Sequence, residues 1–383
     1  MRGAAFATLA FAFVLALVSG CASSRGTSTS AVASTTSAIP SSDAATEAAI
    51  LGASDPSDPL RRPGERNLRN IRQLTFGGEN AEAYFAWSGE RLVFQSTRDD
   101  HPCDRIFSMS LDGSDVRLLS TGTGRTTCSY FLPGDREILY ASTHALSADC
   151  PPRPDYSRGY VWALYDYDLF ATRADDPGRA IVRRLTDNPG YDAEATVSPA
   201  GDRIIWTSHR DGDIDLYSMR LDGGDVRRLT TEVGYDGGAF YSPDGKRIVY
   251  RSSRPKTADD LAHYRALLAE NLVEPKTLEI MIADANGANA HAITSNGAAN
   301  FAPYWFPDGR RILFASNVGD PKGRNFDVYM INDDGTGMET VIADSTFDGF
   351  PVLSPDGSRL VFASNRASKT RGETNLFIAD WVE

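Results

Sequence analysis

The sequence predicts an all-β protein, a single six-bladed β-propeller with four-stranded antiparallel blades. One phrase, a short strand, a Pro/Gly-type turn and a second strand, occurs six times with variations. The apolar residues that open the second strands are Leu92, Ile138, Ile204, Ile248, Ile312 and Leu360. They recur about every 45 residues, with two spacings lengthened by roughly 20, and such a period is typical of propellers. A unit of this size cannot bury its own core, so we expect the six units to stack.

The third unit shows the blade most clearly. It divides into strands at 193–198, 203–208, 215–220 and 226–230, joined by turns rich in Pro, Gly and Asp. Two hairpin signals per repeat favour a propeller blade over a parallel solenoid, whose repeats are shorter. The chain ends on a third strand, Thr374–Asp380, whose missing fourth strand is supplied by Ile71–Thr75 ahead of the first unit. We therefore expect the N-terminal strand to join the last blade and close a propeller domain of residues 69–383.

Two other segments precede the predicted propeller. Residues 1–20 combine a charged start, an apolar run too short to span a bilayer, and small residues before Cys21. Val18-Ser19-Gly20-Cys21 resembles the lipobox of bacterial lipoproteins, which implies cleavage before Cys21 and its lipidation. An ordinary secretory signal with an incidental cysteine is the alternative. Residues 21–68 are rich in Ser, Thr and Ala and are predicted to be a disordered tether.

The net charge of the chain excludes some classes of binding partner. The formal net charge is −12, and no basic stripe is visible along the sequence. Such a surface repels nucleic acids and anionic headgroups, so we expect no nucleic-acid partner and membrane association only through the lipid anchor.

The repeat itself resembles a known family. Ser242–Tyr250, Ser354–Phe362 and the Arg-Arg-Leu-Thr of Arg227–Thr230 are similar to the TolB-like, WD40-like Pro-Asp propeller repeat. Relatives with this repeat include the periplasmic propeller of the Tol envelope system, which binds the peptidoglycan-associated lipoprotein, and propellers that gate prolyl-oligopeptidase-like hydrolases. The resemblance implies a periplasmic protein, and the absence of an aspartate after Cys21 implies an anchor in the outer membrane. Because nothing ahead of the repeats resembles the additional domain of TolB, we expect a protein related to TolB and not TolB itself.

A ladder of polar residues stands at one position of successive units, and in two units a glutamate follows it two residues later. We predict a polar ring at the channel mouth, made of Asn80, Glu82, Asp192, Glu194, Asp236, Asn300 and Asp348. One interpretation is structural, with carboxylates pairing at blade corners with the arginines that close the second strands. The other is a ring that binds a peptide or a cation.

Two glutamates depart from the repeat. Glu82 and Glu194 stand where other units have Cys128, Gly238, Ala302 and Phe350. Carboxylates in a propeller channel would suit Ca²⁺, as in six-bladed lactonases of another family. The first and third blades are not neighbours, however, so we predict no cofactor or metal and keep Ca²⁺ as an alternative.

Both long insertions are predicted on the face that carries the loops into the first strands. The insertion Thr143–Leu164 contains a candidate partner-binding set: Arg153, Tyr156, Arg158, Tyr160 and Trp162. Arginine and aromatic residues dominate binding hot spots, although these rings could equally fold back and cap the channel. The second insertion begins with a helix-start signature at Thr257, and Pro275 ends it. The opposite face consists of short repetitive hairpins.

The remaining signals concern redox state and catalysis. One disulfide is expected among Cys103, Cys128 and Cys150, and the sequence does not choose the pair. Zinc ligation by these cysteines fits no known spacing. No nucleophile elbow, zinc-protease motif or phosphate loop is present. We therefore predict a non-enzymatic, monomeric envelope platform that binds a protein or peptide, with a propeller hydrolase or lactonase using a channel cation as the alternative.

Overall fold

The computed structural model describes residues 57–175, 181–320 and 322–383. Its single α-helix within those ranges is α1 (Ala258–Leu268). In chain order the strands are β1 (Leu68–Gln73), β2 (Glu79–Phe85), β3 (Arg91–Thr97), β4 (Arg105–Ser110), β5 (Arg117–Leu118), β6 (Thr126–Phe131), β7 (Glu137–Ser142), β8 (Trp162–Ala163), β9 (Asp168–Arg173), β10 (Ile181–Arg184), β11 (Asp192–Val197), β12 (Arg203–Ser208), β13 (Asp215–Arg220), β14 (Arg227–Arg228), β15 (Tyr235–Tyr241), β16 (Arg247–Ser253), β17 (Leu272–Val273), β18 (Glu279–Asp284), β19 (His291–Ala292), β20 (Asn300–Trp305), β21 (Arg311–Ser316), β22 (Asp327–Asn332), β23 (Glu339–Ile342), β24 (Asp348–Leu353), β25 (Arg359–Ser364) and β26 (Asn375–Trp381).

Six four-stranded antiparallel sheets form the blades of a propeller. Blades 1, 3 and 5 are β2–β5, β11–β14 and β20–β23, while blades 2 and 4 are β6-β7-β9-β10 and β15-β16-β18-β19. Blade 6 is β24-β25-β26-β1, with Leu68 opposite Trp381 and Gln73 opposite Phe377. The predicted fold class, including closure by the N-terminal strand, is confirmed.

The second strand of each blade is buried on both faces, which explains its apolar run. In β12, for example, Ile204, Ile205 and Trp206 have no exposed surface. A blade is sandwiched between two neighbours, so these strands do not alternate between apolar and polar residues. Burying each such side chain contributes roughly 1.5–3 kcal/mol, and the sum over six interfaces holds the ring together.

The first strand of every blade contains a β-bulge at the same position. Pairing with the second strand shifts register there in all six blades. The residues at the bulge have left-handed backbones, with φ between 46° and 62°: Glu82, Cys128, Glu194, Gly238, Ala302 and Phe350. A bulge turns one extra side chain out of the strand pattern. Here it turns one residue per blade toward the axis.

Residues 57–67, which the sequence places at the end of the tether, pack against blade 6. The Asp58 carboxylate accepts a hydrogen bond from the backbone of Ile71 at 3.2 Å. The Glu65 carboxylate is buried and accepts from the guanidinium of Arg366 at 2.6 Å. The predicted signal peptide, Cys21 and the rest of the tether lie outside the described residues. Within the described ranges, no helix has the length and apolar character required to cross a membrane.

Candidate functional site

The six bulge residues line one small cavity on the propeller axis. Its wall contains Glu82, Cys128, Glu194, Gly238, Ala302 and Phe350. The cavity volume is about 30 Å³, which is the share of liquid volume taken by one water molecule. Loops that enter the first strands, and those between second and third strands, form the end of the ring above this cavity, which we call the insertion face. The end with the Ser-Pro-Asp-Gly turns is the hairpin face.

Aromatic rings close the channel below the cavity. Four of the six blades carry an aromatic residue two positions after the bulge, toward the hairpin face: Tyr84, Tyr130, Phe240 and Tyr304. Phe240 packs against Tyr304 at 5.2 Å and against Tyr84 at 5.8 Å between ring centroids, and Tyr84 packs against Tyr130 at 5.6 Å. The axis is therefore a closed pocket that faces the insertion side.

One of the two glutamates is neutralised by an arginine that sequence analysis did not single out. Arg251, on β16, forms an ion pair with Glu194 and donates to the hydroxyl of Tyr235 at 2.6 Å. The other carboxylate oxygen of Glu194 accepts from Thr207 at 2.7 Å and from the backbone of Gly238 at 3.0 Å. A Cβ on Gly238 would lie 2.3 Å from the Arg251 guanidinium, so the glycine provides the space that Arg251 fills. The Gly237-Gly238 pair was the available sequence signal.

The other glutamate has no cation of its own. The neighbouring Cys128 thiol lowers the pKa of Glu82, while within the described residues the buried Oε2 atom of Glu82 has no hydrogen-bond partner. Burial is the main cause that raises the pKa of Glu82 to about 7, and the negative charge of Glu194 adds to it. Burial and the same glutamates raise the pKa of the Cys128 thiol, so it is not an activated nucleophile.

The two insertions meet above this pocket and pair with each other. Strand β8 of the blade 2 insertion pairs antiparallel with β17 of the blade 4 insertion, and Leu164 donates to the carbonyl of Asn271 at 2.8 Å. The Trp162 ring lies over the Arg251 guanidinium at 5.1 Å and edge-on to Tyr235 at 6.1 Å. We call β8, β17, α1 and their connecting loops the lid. The half-buried Trp162 thus contributes its ring to the inner side of the lid, and its indole nitrogen donates to the hydroxyl of Tyr160 at 3.3 Å.

Helix α1 begins where the sequence predicts. Thr257 is its N-cap, and Thr257 and Asp260 form a reciprocal capping box. Leu268 is buried, and the hydroxyl of Tyr264 donates to Asp213 of blade 3. These contacts fix the helix on the ring.

The outer surface of the lid carries other members of the predicted partner-binding set. Tyr156 and Tyr160 are 40% and 49% exposed, and their rings stack at 6.1 Å with an interplanar angle of 17°. Arg153 is exposed, and its charge acts on Tyr156. Arg158 ends a short 3-10 turn that Asp155 caps, but its side chain lies outside the described part of the structure.

The other members of the predicted polar ring lie at blade corners. Asn80, Asp192, Asp236, Asn300 and Asp348 are buried, and none of these five lines the described cavity. Their partners are those of a structural network: Asp192 with Arg210 (3.3 Å), Asp236 with Arg254 (2.8 Å), Asp348 with Arg366 (3.2 Å), Asn80 with Ser96 (2.7 Å) and Asn300 with Ser316 (2.6 Å). Only Glu82 and Glu194 of the predicted ring meet in the channel.

A disulfide joins the base of the lid to blade 1. Among the three pairings that the sequence leaves open, the structure bonds Cys103 to Cys150 and leaves Cys128 as a buried free thiol. Among the described residues, no group of three or more His, Cys, Asp or Glu side chains is arranged to hold a metal ion.

Comparisons with known proteins agree with this architecture. A family model described as the TolB beta propeller domain matches residues 168–267. The Tol-Pal system protein TolB of Bordetella pertussis is 45% identical over 49 residues, which cover 13% of this chain and about a tenth (11%) of that relative.

Solved structures extend the likeness over most of the ring. The putative TolB from Agrobacterium tumefaciens has 19% identity and a TM-score of 0.53, and the match covers 80% of this chain and 91% of that one. TolB from Acinetobacter baumannii has 18% identity and a TM-score of 0.55, with 76% and 64% covered. At such identities the structures show the fold alone. The chain is therefore similar to TolB-type propellers in the repeat matched over residues 168–267 and in its overall fold.

Proposed function

We propose that the protein is a non-enzymatic cell-envelope platform that binds a protein or peptide on its insertion face. The observation that carries the proposal is the lid, which packs Trp162 over Arg251 and presents the stacked Tyr156 and Tyr160 to solvent. Loops held on a rigid ring are where recognition usually occurs, and exposed aromatic side chains beside an arginine are typical of hot spots.

Further apolar surface on the same face supports this proposal. Leu146, in the blade 2 insertion, and Phe76, in the loop that enters blade 1, are each 72% exposed. Large apolar side chains gathered at one end of a soluble molecule are a common mark of interaction sites. The partner would be an envelope protein, as the Tol-Pal relative suggests.

The proposal includes a location and an oligomeric state. The lipobox-like Val18-Ser19-Gly20-Cys21 supports a chain lipidated at Cys21, exported to the periplasm and anchored at the outer membrane. The Cys103–Cys150 disulfide is suited to that oxidising compartment. We propose a monomer, because the ring closes on itself and leaves no unpaired blade.

The chemistry of the channel gives less support to a cation-dependent enzyme. A cavity of about 30 Å³ is far below the roughly 300–1,000 Å³ of small-molecule sites. Arg251 already neutralises Glu194, so one of the two channel carboxylates has a positive partner within the chain.

Site-specific photo-cross-linking in the envelope tests the proposal. A photoreactive amino acid at Tyr160 should give a discrete partner adduct, whereas the same group at Val116, an exposed apolar residue on the hairpin face, should give none. Adding Tyr156→Ala should weaken the adduct at least tenfold without a change in melting temperature. Equal adducts at both positions, or an adduct insensitive to Tyr156→Ala, would rule out this face as the binding site.

A further inference from the structure

A groove of about 610 Å³ opens on the hairpin face between blades 3 and 4. Its volume is within the range of ligand pockets. Blade 3 contributes Pro199, Arg203 and Arg227 to the wall, and blade 4 contributes Tyr241, Pro243 and Ala285, among others. This face carries only short hairpins in the sequence.

The next blade interface shows what fills the same place elsewhere. Between blades 4 and 5, Arg247 crosses to Asp333 of blade 5 at 2.8 Å and to the carbonyl of Gly309 at 2.7 Å. Its guanidinium lies over the Trp305 ring at 4.8 Å. An arginine, an aspartate and an aromatic ring therefore close that interface.

The repeat shows which of these three parts is missing between blades 3 and 4. Arg203 opens β12 as Arg247 opens β16, and Tyr241 ends β15 as Trp305 ends β20. Ala285 directly follows β18, however, where Asp333 directly follows β22. A methyl group thus occupies, beside the groove, the position that a carboxylate has between blades 4 and 5.

Without an aspartate opposite, Arg203 turns to its own blade. It pairs with Asp225 at 2.9 Å and donates to Ser218 at 3.0 Å. Arg227 also pairs with Asp225, at 2.7 Å, so two guanidinium groups share one carboxylate. Asp202 and Asp244 also line the groove, but each accepts from the serine of its own turn at 2.7 Å.

We propose that this groove binds a carboxylate-bearing peptide segment. The ligand carboxylate takes the place that Asp333 has in the next interface and pairs with Arg203, in the planar geometry that guanidinium and carboxylate groups favour. The apolar part of the segment packs against Tyr241, Pro199 and Pro243. This site is on the opposite face from the lid and does not depend on the proposed function.

Fluorescence anisotropy with a defined probe tests the site. The probe is fluorescein-labelled Gly-Tyr-Pro-Ala-Asp amide, and its control is the same peptide ending in Asn amide. The native protein should bind the Asp probe at least tenfold more tightly than the Asn probe. Arg203→Gln should remove that preference, whereas Arg91→Gln should keep it, since Arg91 pairs with Asp115 in the same way in blade 1 at 2.7 Å.

A second variant tests the missing carboxylate directly. Ala285→Asp supplies the acceptor within the chain, so it should abolish probe binding while the melting temperature is maintained or raised. Equal affinity for the Asp and Asn probes, or undiminished binding to Ala285→Asp, would overturn the proposal. Succinate should compete only weakly; displacement by succinate as strong as by unlabelled peptide would overturn the assignment to peptides.

Discussion

Two glutamates at the same bulge position have different electrostatic environments. Glu194 is paired with Arg251, whereas Glu82 has a neighbouring thiol and, within the described residues, an unpartnered oxygen. The shared register of Glu82 and Glu194 follows from aligning the repeats. The contact of Arg251 with Glu194 does not follow from that alignment. Arg251 lies on the second strand, and the direction of its side chain depends on the space left by Gly238 in the neighbouring strand.

We expect Glu82→Gln to stabilise the protein above pH 7. The native pKa of about 7 exceeds the unfolded value of about 4.3, so between these values the native state binds more protons than the unfolded state. The contribution of Glu82 to stability therefore falls as pH rises through this window and is constant above it. Thermal unfolding should show matching melting temperatures near pH 4 and a higher value for Glu82→Gln at pH 8.

Glu194→Gln is the matched control for that experiment. It removes the partner of the buried Arg251, so it should lower the melting temperature at pH 8. A difference between Glu82→Gln and the native protein that does not vary with pH would contradict the assignment.

At the scale of elements, the strands of the blades were predictable and the lid was not. Each blade strand has a repeated pattern bounded by turns, and the capping signature at Thr257 located α1. Strands β8 and β17 have only two residues each and come from different insertions. So short a strand carries no periodicity, and its pairing depends on where the ring brings the two insertions together.

The lid should depend on Trp162. Replacing it with alanine removes the contacts with Arg251 and Tyr235, so we expect a loss of about 1–3 kcal/mol in the free energy of unfolding. Hydrogen exchange in residues 257–274 should accelerate as the two halves of the lid separate. Leu146→Ala, at an exposed position of the same insertion, should change neither quantity; identical behaviour of the two variants would show that Trp162 does not hold the lid.

At the scale of the molecule, the ring is closed by more than strand β1. Glu65 reaches the buried Arg366, which also pairs with Asp348 of the same blade and lies over the Phe362 ring at 5.0 Å. The composition of the N-terminal region predicted a tether up to Leu68, because Ser, Thr and Ala dominate it. Composition averages over a window, and the few charged residues that fasten 57–67 to blade 6 are hidden in that average.

Successive N-terminal truncations should lower the melting temperature in steps, because they remove first the contacts of residues 57–66 and then strand β1. A chain that begins at Ser57 should melt like a chain that begins at Cys21. A chain that begins at Asn67 lacks Glu65 and leaves the positive charge of Arg366 less compensated, which should cost about 3 kcal/mol. A chain that begins at Phe76 also lacks β1 and leaves blade 6 with an open edge, so it should be the least stable.

Calorimetry of these three chains measures their melting temperatures and so tests the expected order of stability. Glu65→Gln in the chain that begins at Ser57 should reproduce most of the loss seen on removing residues 57–66. Equal melting temperatures for the chains that begin at Ser57 and Asn67 would show that the segment does not fasten the ring.

Because of the bulge in the first strands, the residues that line the axis are not the residues on which strand pairing within the blades depends. The same backbone conformation accommodates Glu, Cys, Gly, Ala and Phe at six equivalent positions. A left-handed residue costs roughly 1–2 kcal/mol, and that cost is similar for each of the non-glycine types. Apart from Gly238, where a Cβ would meet Arg251, the axial positions can therefore be exchanged one at a time, by natural drift or by design, to give the pocket a new charge or shape while strand pairing is retained.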